Sequence, residues 1–199
     1  EKGARVEGKS GKIWVQNGKK TIIFDRKIKS GNGKLLGIKI VMRKTDDAIL
    51  LHQSDLIKKI ERKFGDRAMR MRSYKTPASA GQGLIKSNED EGCVNAERQT
   101  EYRSGVGMLL FLTKFSRPDI SNAVRELSKM NTCANEAHMK EMLRLIKFVM
   151  DTRNWMLKFN IDGNLKKKPK WLVRALCDSD FAGDKDTRLS VTGYGVYVM

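Results

Sequence analysis

Several things are scarce in this 199-residue chain, and each scarcity closes off a class of protein. No apolar run approaches the ~20 residues needed to cross a bilayer. The first residues are charged and Gly-rich, without the apolar stretch of a secretory leader. The three cysteines, Cys93, Cys133 and Cys177, are far apart and form no Cys-x-x-Cys pair. That spacing supports neither a zinc site nor a disulfide framework, so reduced thiols in an intracellular, cytoplasmic setting are expected. The two histidines, His52 and His138, have no metal-ligand companion nearby, and both are expected at the surface. Acidic residues are in deficit, 23 against 40 Lys and Arg, which leaves a net charge of +17. A balance so basic points to a polyanionic partner, nucleic acid being the usual one, or to a solvated basic face. No aromatic-rich strand pattern for stacking unpaired bases is visible, so any such binding is expected to be independent of sequence.

What is present suffices for a core. The hydrophobic fraction is 40%, and the length allows one domain or two small ones. The chain begins with Glu1 and ends inside a strand-like run, which reads as a fragment. Residues 1 to 44 carry 13 Lys and Arg against Glu1, Glu7 and Asp25, a net +10. Short β-prone runs lie between glycines there. Lys12 to Gln16 and Thr21 to Phe24 flank Asn17-Gly18, a two-residue hairpin signal, and Leu35 to Met42 is a third run. The expectation is a small β-meander whose Lys12, Lys19, Lys20, Arg26, Lys27 and Lys29 track a phosphate backbone or form a solvated hairpin surface.

From Ser54 the period becomes helical. Ser54 is read as an N-cap and Gly65 as a C′ glycine, with Ile57, Ile60 and Phe64 between them. Residues 66 to 97 are linker-like. A helix from about Glu97 to Phe115 is apolar along Val106, Met108 to Leu110, Leu112 and Phe115, and is expected to be largely buried. Ser116 is read as capping a second helix with Pro118 in its first turn and Ile120, Val124 and Leu127 on its buried stripe. Asn135 opens a third, with Met139, Met142, Ile146 and Val149 on one face. These three helices should pack through Leu109, Leu112, Val124, Leu127, Met142, Ile146 and Val149. Three strands follow: Trp155 to Ile161, Trp171 to Asp178 and Val191 to Met199. The basic loop Lys166, Lys167, Lys168 and Lys170 lies among them.

The residue types around Asp178 suggest one chemistry. An Asp at the end of a β-strand, followed by a hairpin, can hold a divalent cation through hard oxygen ligands. Equally, Asp is a common solvated turn former.

Five segments, in order, resemble the Pol polyproteins of copia-type retrotransposons. They are Lys75-Thr76-Pro77, Tyr102-Arg103-Ser104-Gly105-Val106-Gly107, Arg117-Pro118-Asp119-Ile120, Arg125-Glu126-Leu127-Ser128, and the block from Asp178 to Tyr194. The resemblance covers about Ser54 to Met199. With the basic, Gly-rich β-hairpin segment of uncertain origin (1–45), it gives an α+β chain in which the resemblance implies a helix plus linker (46–96), a helical region like a reverse transcriptase thumb (97–152) and the truncated start of an RNase H-like domain of antiparallel strands (153–199). It also implies that Asp178 matches the first metal-binding carboxylate of RNase H, with magnesium the cofactor of the parent enzyme and none expected to be bound by this fragment. The implied partners are an RNA–DNA hybrid or duplex backbone, held with help from Lys166, Lys167 and Lys168, and the remainder of the polyprotein.

Two departures qualify the likeness. The polymerase site of this family is a Tyr-x-Asp-Asp turn, whereas this chain has Lys44-Thr45-Asp46-Asp47, which is not read as a polymerase site. RNase H chemistry uses two metals held by several carboxylates, and the chain stops at Met199 before the others. The first 42 residues fit less well. Ile23 to Lys29 resembles the region ahead of the integrase, Leu35-Leu36-Gly37-Ile38 resembles the hairpin that grips the primer end, and an unrelated hairpin is the third reading. Three functional classes follow: a non-catalytic reverse transcriptase/RNase H fragment, a stand-alone basic nucleic-acid-binding module, or a metal-dependent nuclease completed by another chain.

Overall fold

The computed structural model describes residues 5–9, 12–17, 20–24, 32–35, 37–43, 48–79, 92–160, 173–179, 181 and 188–198. It divides into two compact units, Glu1–Asn160 and Ile161–Met199. Helices and antiparallel strands are both present, giving the expected α+β class.

The first unit opens with a three-stranded antiparallel sheet, β1 (Arg5–Lys9), β2 (Lys12–Asn17) and β3 (Lys20–Phe24). Asn17 pairs with Lys20, so β2 and β3 meet around the predicted turn. A second sheet has the order β4 (Asn32–Leu35), β5 (Ile38–Arg43), β6 (Ala48–His52) and β7 (Leu157–Asn160). The single run expected over Leu35 to Met42 is broken by Gly37, whose φ of 81° lets the chain reverse between β4 and β5. Asp46 and Asp47 fall outside the described residues. The strand near Phe159, grouped by the sequence reading with the later strands, instead pairs with β6, Phe159 opposite Ile49. The two strands lie more than a hundred residues apart in the chain, a pairing that local periodicity cannot reveal.

Four helices build the core: α1 (Ser54–Met69), α2 (Ala96–Phe115), α3 (Ser121–Ser128) and α4 (Glu136–Asp151). A short 3-10 turn, Pro118–Ile120, leads into α3. All seven residues expected to pack these helices are at most 2% exposed. With Ile57, Ile60, Phe64, Tyr102, Ile120, Met139 and Leu145 they form one cluster. Each such side chain contributes about 1.5–3 kcal/mol on leaving water, which is what holds helices too short to be stable alone.

Several local expectations are corrected. Ser54 is the first residue of α1 and makes no side-chain cap; Gln53 precedes it, fully buried, with its Oε1 accepting from Ser116 Oγ at 2.7 Å. Ser116 is therefore tied to Gln53 and is not the cap of the next helix. Gly65 does not end α1, which runs one turn further to Met69; it is buried, and a Cβ there would sit 3.8 Å from Met150 Cε. Helix α2 is less buried than expected, because Leu110 and Phe111 are 54% and 41% exposed on its outer face. His138 is buried rather than superficial: its Nδ1 accepts from Asn135 N–H at 3.1 Å, while Asn135 Oδ1 accepts from His138 N–H at 3.0 Å. The pair closes a capping box in which His stands where Glu or Gln is usual, so the sequence signal for it was weak. His52 is half-buried, with Nε2 3.0 Å from the carbonyl of Arg153.

The second unit is a two-stranded hairpin, β8 (Val173–Ser179) with β9 (Thr192–Val198). Leu176, Tyr194 and Val196 are 58%, 81% and 59% exposed. Among the described residues, no helix is long and apolar enough to cross a membrane.

Candidate functional site

Strand β8 carries Asp178 one residue from its end, opposite Gly193 of β9. Asp178 is exposed, and its Oδ1 accepts from the N–H of Ser179 at 2.9 Å. Among the described residues no group of three or more His, Cys, Asp or Glu side chains is placed to hold a metal. A lone exposed carboxylate does not fit a two-magnesium centre, which needs several oxygen ligands in fixed geometry.

The basic residues singled out from sequence divide by position. Lys12 begins β2 opposite Lys9, and Lys20 begins β3 opposite Asn17. Lys19, Arg26, Lys27, Lys29, Lys166, Lys167 and Lys168 lie outside the described residues. A further basic stripe went unremarked in the sequence. Lys58, Lys59, Arg62 and Lys63 are all exposed on α1. Their i, i+3 and i, i+4 spacing was its signal, since the buried Ile57, Ile60 and Phe64 fix which side of α1 faces inward. Lys63 donates to Ser104 Oγ at 2.7 Å, tying the stripe to α2.

The four marker segments ahead of Asp178 all serve packing. Tyr102 is fully buried and donates through its hydroxyl to Leu127 O at 2.7 Å, joining α2 to α3. Burial pushes its phenol well above the ordinary tyrosine value. Arg103 Nε donates to Asn131 O at 2.7 Å. Gly105 is where α1, α2 and α4 come closest: a Cβ there would overlap Met142 Sδ and stand 3.2 Å from Phe64 Cζ. At Gly107 a Cβ would meet nothing within 4 Å.

Arg117 makes the most extensive set of contacts. It is 1% exposed. Its Nε and Nη2 donate to Asp119 Oδ1 and Oδ2 at 2.9 and 2.8 Å. Its Nη1 reaches Thr152 O at 3.2 Å and its Nη2 reaches Thr152 Oγ1 at 2.8 Å. The guanidinium also lies over the rings of Phe148 and Trp155, 5.7 and 5.4 Å from their centroids. Thr152 is the C-cap of α4, so a cation sits where the helix dipole is negative. The Arg-Pro-Asp segment thus locks the end of α2 to the end of α4.

Thr76 O and Pro77 O each accept from Arg144 at 3.4 Å, and Arg144 covers the ring of Tyr74 at 4.4 Å. The Lys-Thr-Pro element is thereby laid against α4. In the fourth segment Arg125 and Lys129 pair with Glu126 at 2.7 and 3.2 Å.

One cysteine expectation is overturned. Cys93 and Cys133 are joined as a disulfide with Cα atoms 5.2 Å apart, while Cys177 is free and exposed. The 40 residues between the partners hid the pair from a reading based on spacing.

These features define a basic α+β module whose described polar contacts are framework and in which, among the described residues, no group of three or more acidic, His or Cys side chains is placed with Asp178 to hold a metal. Comparison with known proteins places it more closely. A retrovirus-related Pol polyprotein from transposon RE1 of Arabidopsis thaliana is 39% identical over 99 residues, 50% of this chain and 6% of that protein. One from transposon TNT 1-94 of Nicotiana tabacum is 26% identical over 176 residues, 86% of this chain and 12% of that protein. An uncharacterized mitochondrial protein of Arabidopsis thaliana is 33% identical over 85 residues, 43% of this chain and 70% of that protein. No family model matches, and no solved structure matches. The chain is thus similar, over part of its length, to retrovirus-related Pol polyproteins of copia-type transposons. It spans only 6% and 12% of the length of the two Pol polyproteins described.

Proposed function

We propose that the chain is the segment of a copia-type Pol polyprotein that links the end of the reverse transcriptase to the start of RNase H. In this reading it is catalytically inert by itself, resides in the cytoplasm and holds nucleic-acid backbone weakly. The observation that carries it is an alignment of 176 residues, 26% identical, with a Pol polyprotein, together with marker segments that serve packing. Magnesium belongs to the parent enzyme, and Asp178 would be one ligand among several supplied by the rest of that polyprotein. The basic residues of β2, β3 and the two lysine-rich loops would contact phosphates, joined by Lys58, Lys59, Arg62 and Lys63 of α1.

The test is fluorescence anisotropy of a labelled RNA–DNA hybrid at rising salt, paired with a magnesium-dependent degradation and primer-extension assay. Binding should weaken linearly on a log–log scale with a slope of about −0.9 for each phosphate neutralised on a duplex. Replacing the α1 stripe by Gln should flatten that slope, and Asp178→Asn should leave it unchanged. Hybrid degradation lost in Asp178→Asn would overturn the claim of inertness. Binding indifferent to salt would overturn the claim of backbone contact.

A further inference from the structure

The disulfide joins two segments that are already stitched together without it. Cys93 lies just ahead of α2, and Cys133 lies between α3 and α4. Next to the bridge, Val94 N–H donates to Ala134 O at 2.8 Å. Gln99 accepts from Ala134 N–H at 2.8 Å through Oε1 and donates to Asn131 O at 2.9 Å through Nε2. Arg98 and Glu136 form an ion pair across the same seam. These contacts hold the two cysteines near each other whether or not they are bonded, which gives the thiols a high effective concentration for closing again. The two residues differ in access: Cys93 is exposed, whereas Cys133 is 9% exposed.

We propose that Cys93 and Cys133 form a thiol-responsive latch that fastens the start of α2 to the α3–α4 connection. A small thiolate such as glutathione attacks Sγ of the exposed residue Cys93. The S–S bond breaks, Cys133 departs as a thiolate and takes a proton from water. A second glutathione thiolate attacks the glutathione sulfur of the mixed disulfide and expels Cys93 as a thiolate, which is protonated in turn. The protein disulfide gains two electrons, and two glutathione molecules become one glutathione disulfide. The reverse sequence, driven by glutathione disulfide, closes the latch. Closed, the bridge restrains the approach to α2 covalently. Open, that approach is held only by the Val94, Gln99 and Arg98 contacts and separates more often.

The full chain carrying Cys177→Ser, which removes the other thiol, is equilibrated in mixtures of reduced and oxidised glutathione. Free thiols are then trapped with a maleimide and counted by mass. Parallel samples receive a brief trypsin pulse, and cleavage after Arg98 is followed. Expected are a single two-electron transition and cleavage roughly tenfold faster in the reduced form, because cleavage of a transiently opened segment follows its open population. Cys93→Ser and, independently, Cys133→Ala should show the fast rate under every mixture. A pair that stays reduced throughout, a pair that stays oxidised throughout, or equal cleavage of both forms would each overturn the latch.

Discussion

Arg117 offers a test in which the order of effects matters more than their size. Its guanidinium is 1% exposed, whereas the Asp119 side chain is 34% exposed. Removing Asp119 therefore strands a cation out of water, while removing Arg117 leaves a carboxylate that water reaches. Breaking a buried pair from the buried side's partner costs about 3–5 kcal/mol, whereas replacing the buried charge by an apolar side chain of similar volume is often close to neutral. Asp119→Ala should accordingly destabilise by about 3 kcal/mol or more. Arg117→Met should cost about 1–2 kcal/mol, from the lost bonds to Thr152 and the lost stacking on Phe148 and Trp155. The double variant should resemble Arg117→Met alone, giving a coupling of about 3 kcal/mol, the full cost of Asp119→Ala. Urea unfolding followed by circular dichroism reads these values as midpoint shifts, near 1.5 M for the larger effect at a slope of about 2 kcal/mol per molar. If Arg117→Met costs as much as Asp119→Ala, the buried charge is not what makes the clamp sensitive, and the reasoning fails.

Other outcomes follow from neighbouring features. Gly105→Ala should destabilise by about 1–3 kcal/mol through overlap with Met142 and Phe64, while Gly107→Ala should be neutral or stabilising by up to about 1 kcal/mol from helix propensity; thermal melts of the pair make the comparison. Tyr102 ionises at higher pH in the folded chain than in the unfolded one, so the folded state retains a proton that the unfolded state loses. Its contribution is fully present below about pH 10 and falls as pH rises beyond that, by up to about 1.4 kcal/mol per pH unit. Tyr102→Phe should remove that component of the alkaline slope in urea titrations between pH 9 and 11. Opening the Cys93–Cys133 loop should lower stability by up to about 4 kcal/mol in the chain-entropy account for a 40-residue separation, measured as the midpoint difference with and without reductant.

The helical part of the fold was legible because its signals are local. Seven core residues chosen by period alone are at most 2% exposed, and Asn135 does open α4. What was missed depends on distance or on weak substitutes for strong signals. The β6–β7 pairing and the Cys93–Cys133 bridge join residues far apart in the chain. Gly65 resembles a helix stop but is a packing glycine, and only the proximity of Met150 distinguishes the two roles. His138 closes a capping box through an imidazole nitrogen, an unusual acceptor for that motif. Leu110 and Phe111 lie in an apolar run whose length suggested burial, yet α2 packs on one side only. For Asp178, position on a strand beside a turn was readable, but whether other carboxylates gather round it is a property of tertiary structure.

The proposed inertness is compatible with the family likeness because the residues that carry the likeness serve the framework. Tyr102, Gly105, Arg117, Asp119 and Arg144 make contacts that a single substitution would break at a cost of kilocalories, because each is buried or joins two elements. Catalytic carboxylates make no such contribution and are often held against their own repulsion, so their loss does not unfold the scaffold. A copy of the polyprotein that no longer performs chemistry would keep the first set for as long as its folded state matters, and could lose the second freely. The chain carries the first set intact, and Asp178 lies exposed on strand β8. The decisive measurement is thus whether the helical unit folds cooperatively. A sharp urea transition lost in Asp119→Ala but kept in Asp178→Asn would show that framework, rather than chemistry, is what the residues of this sequence specify.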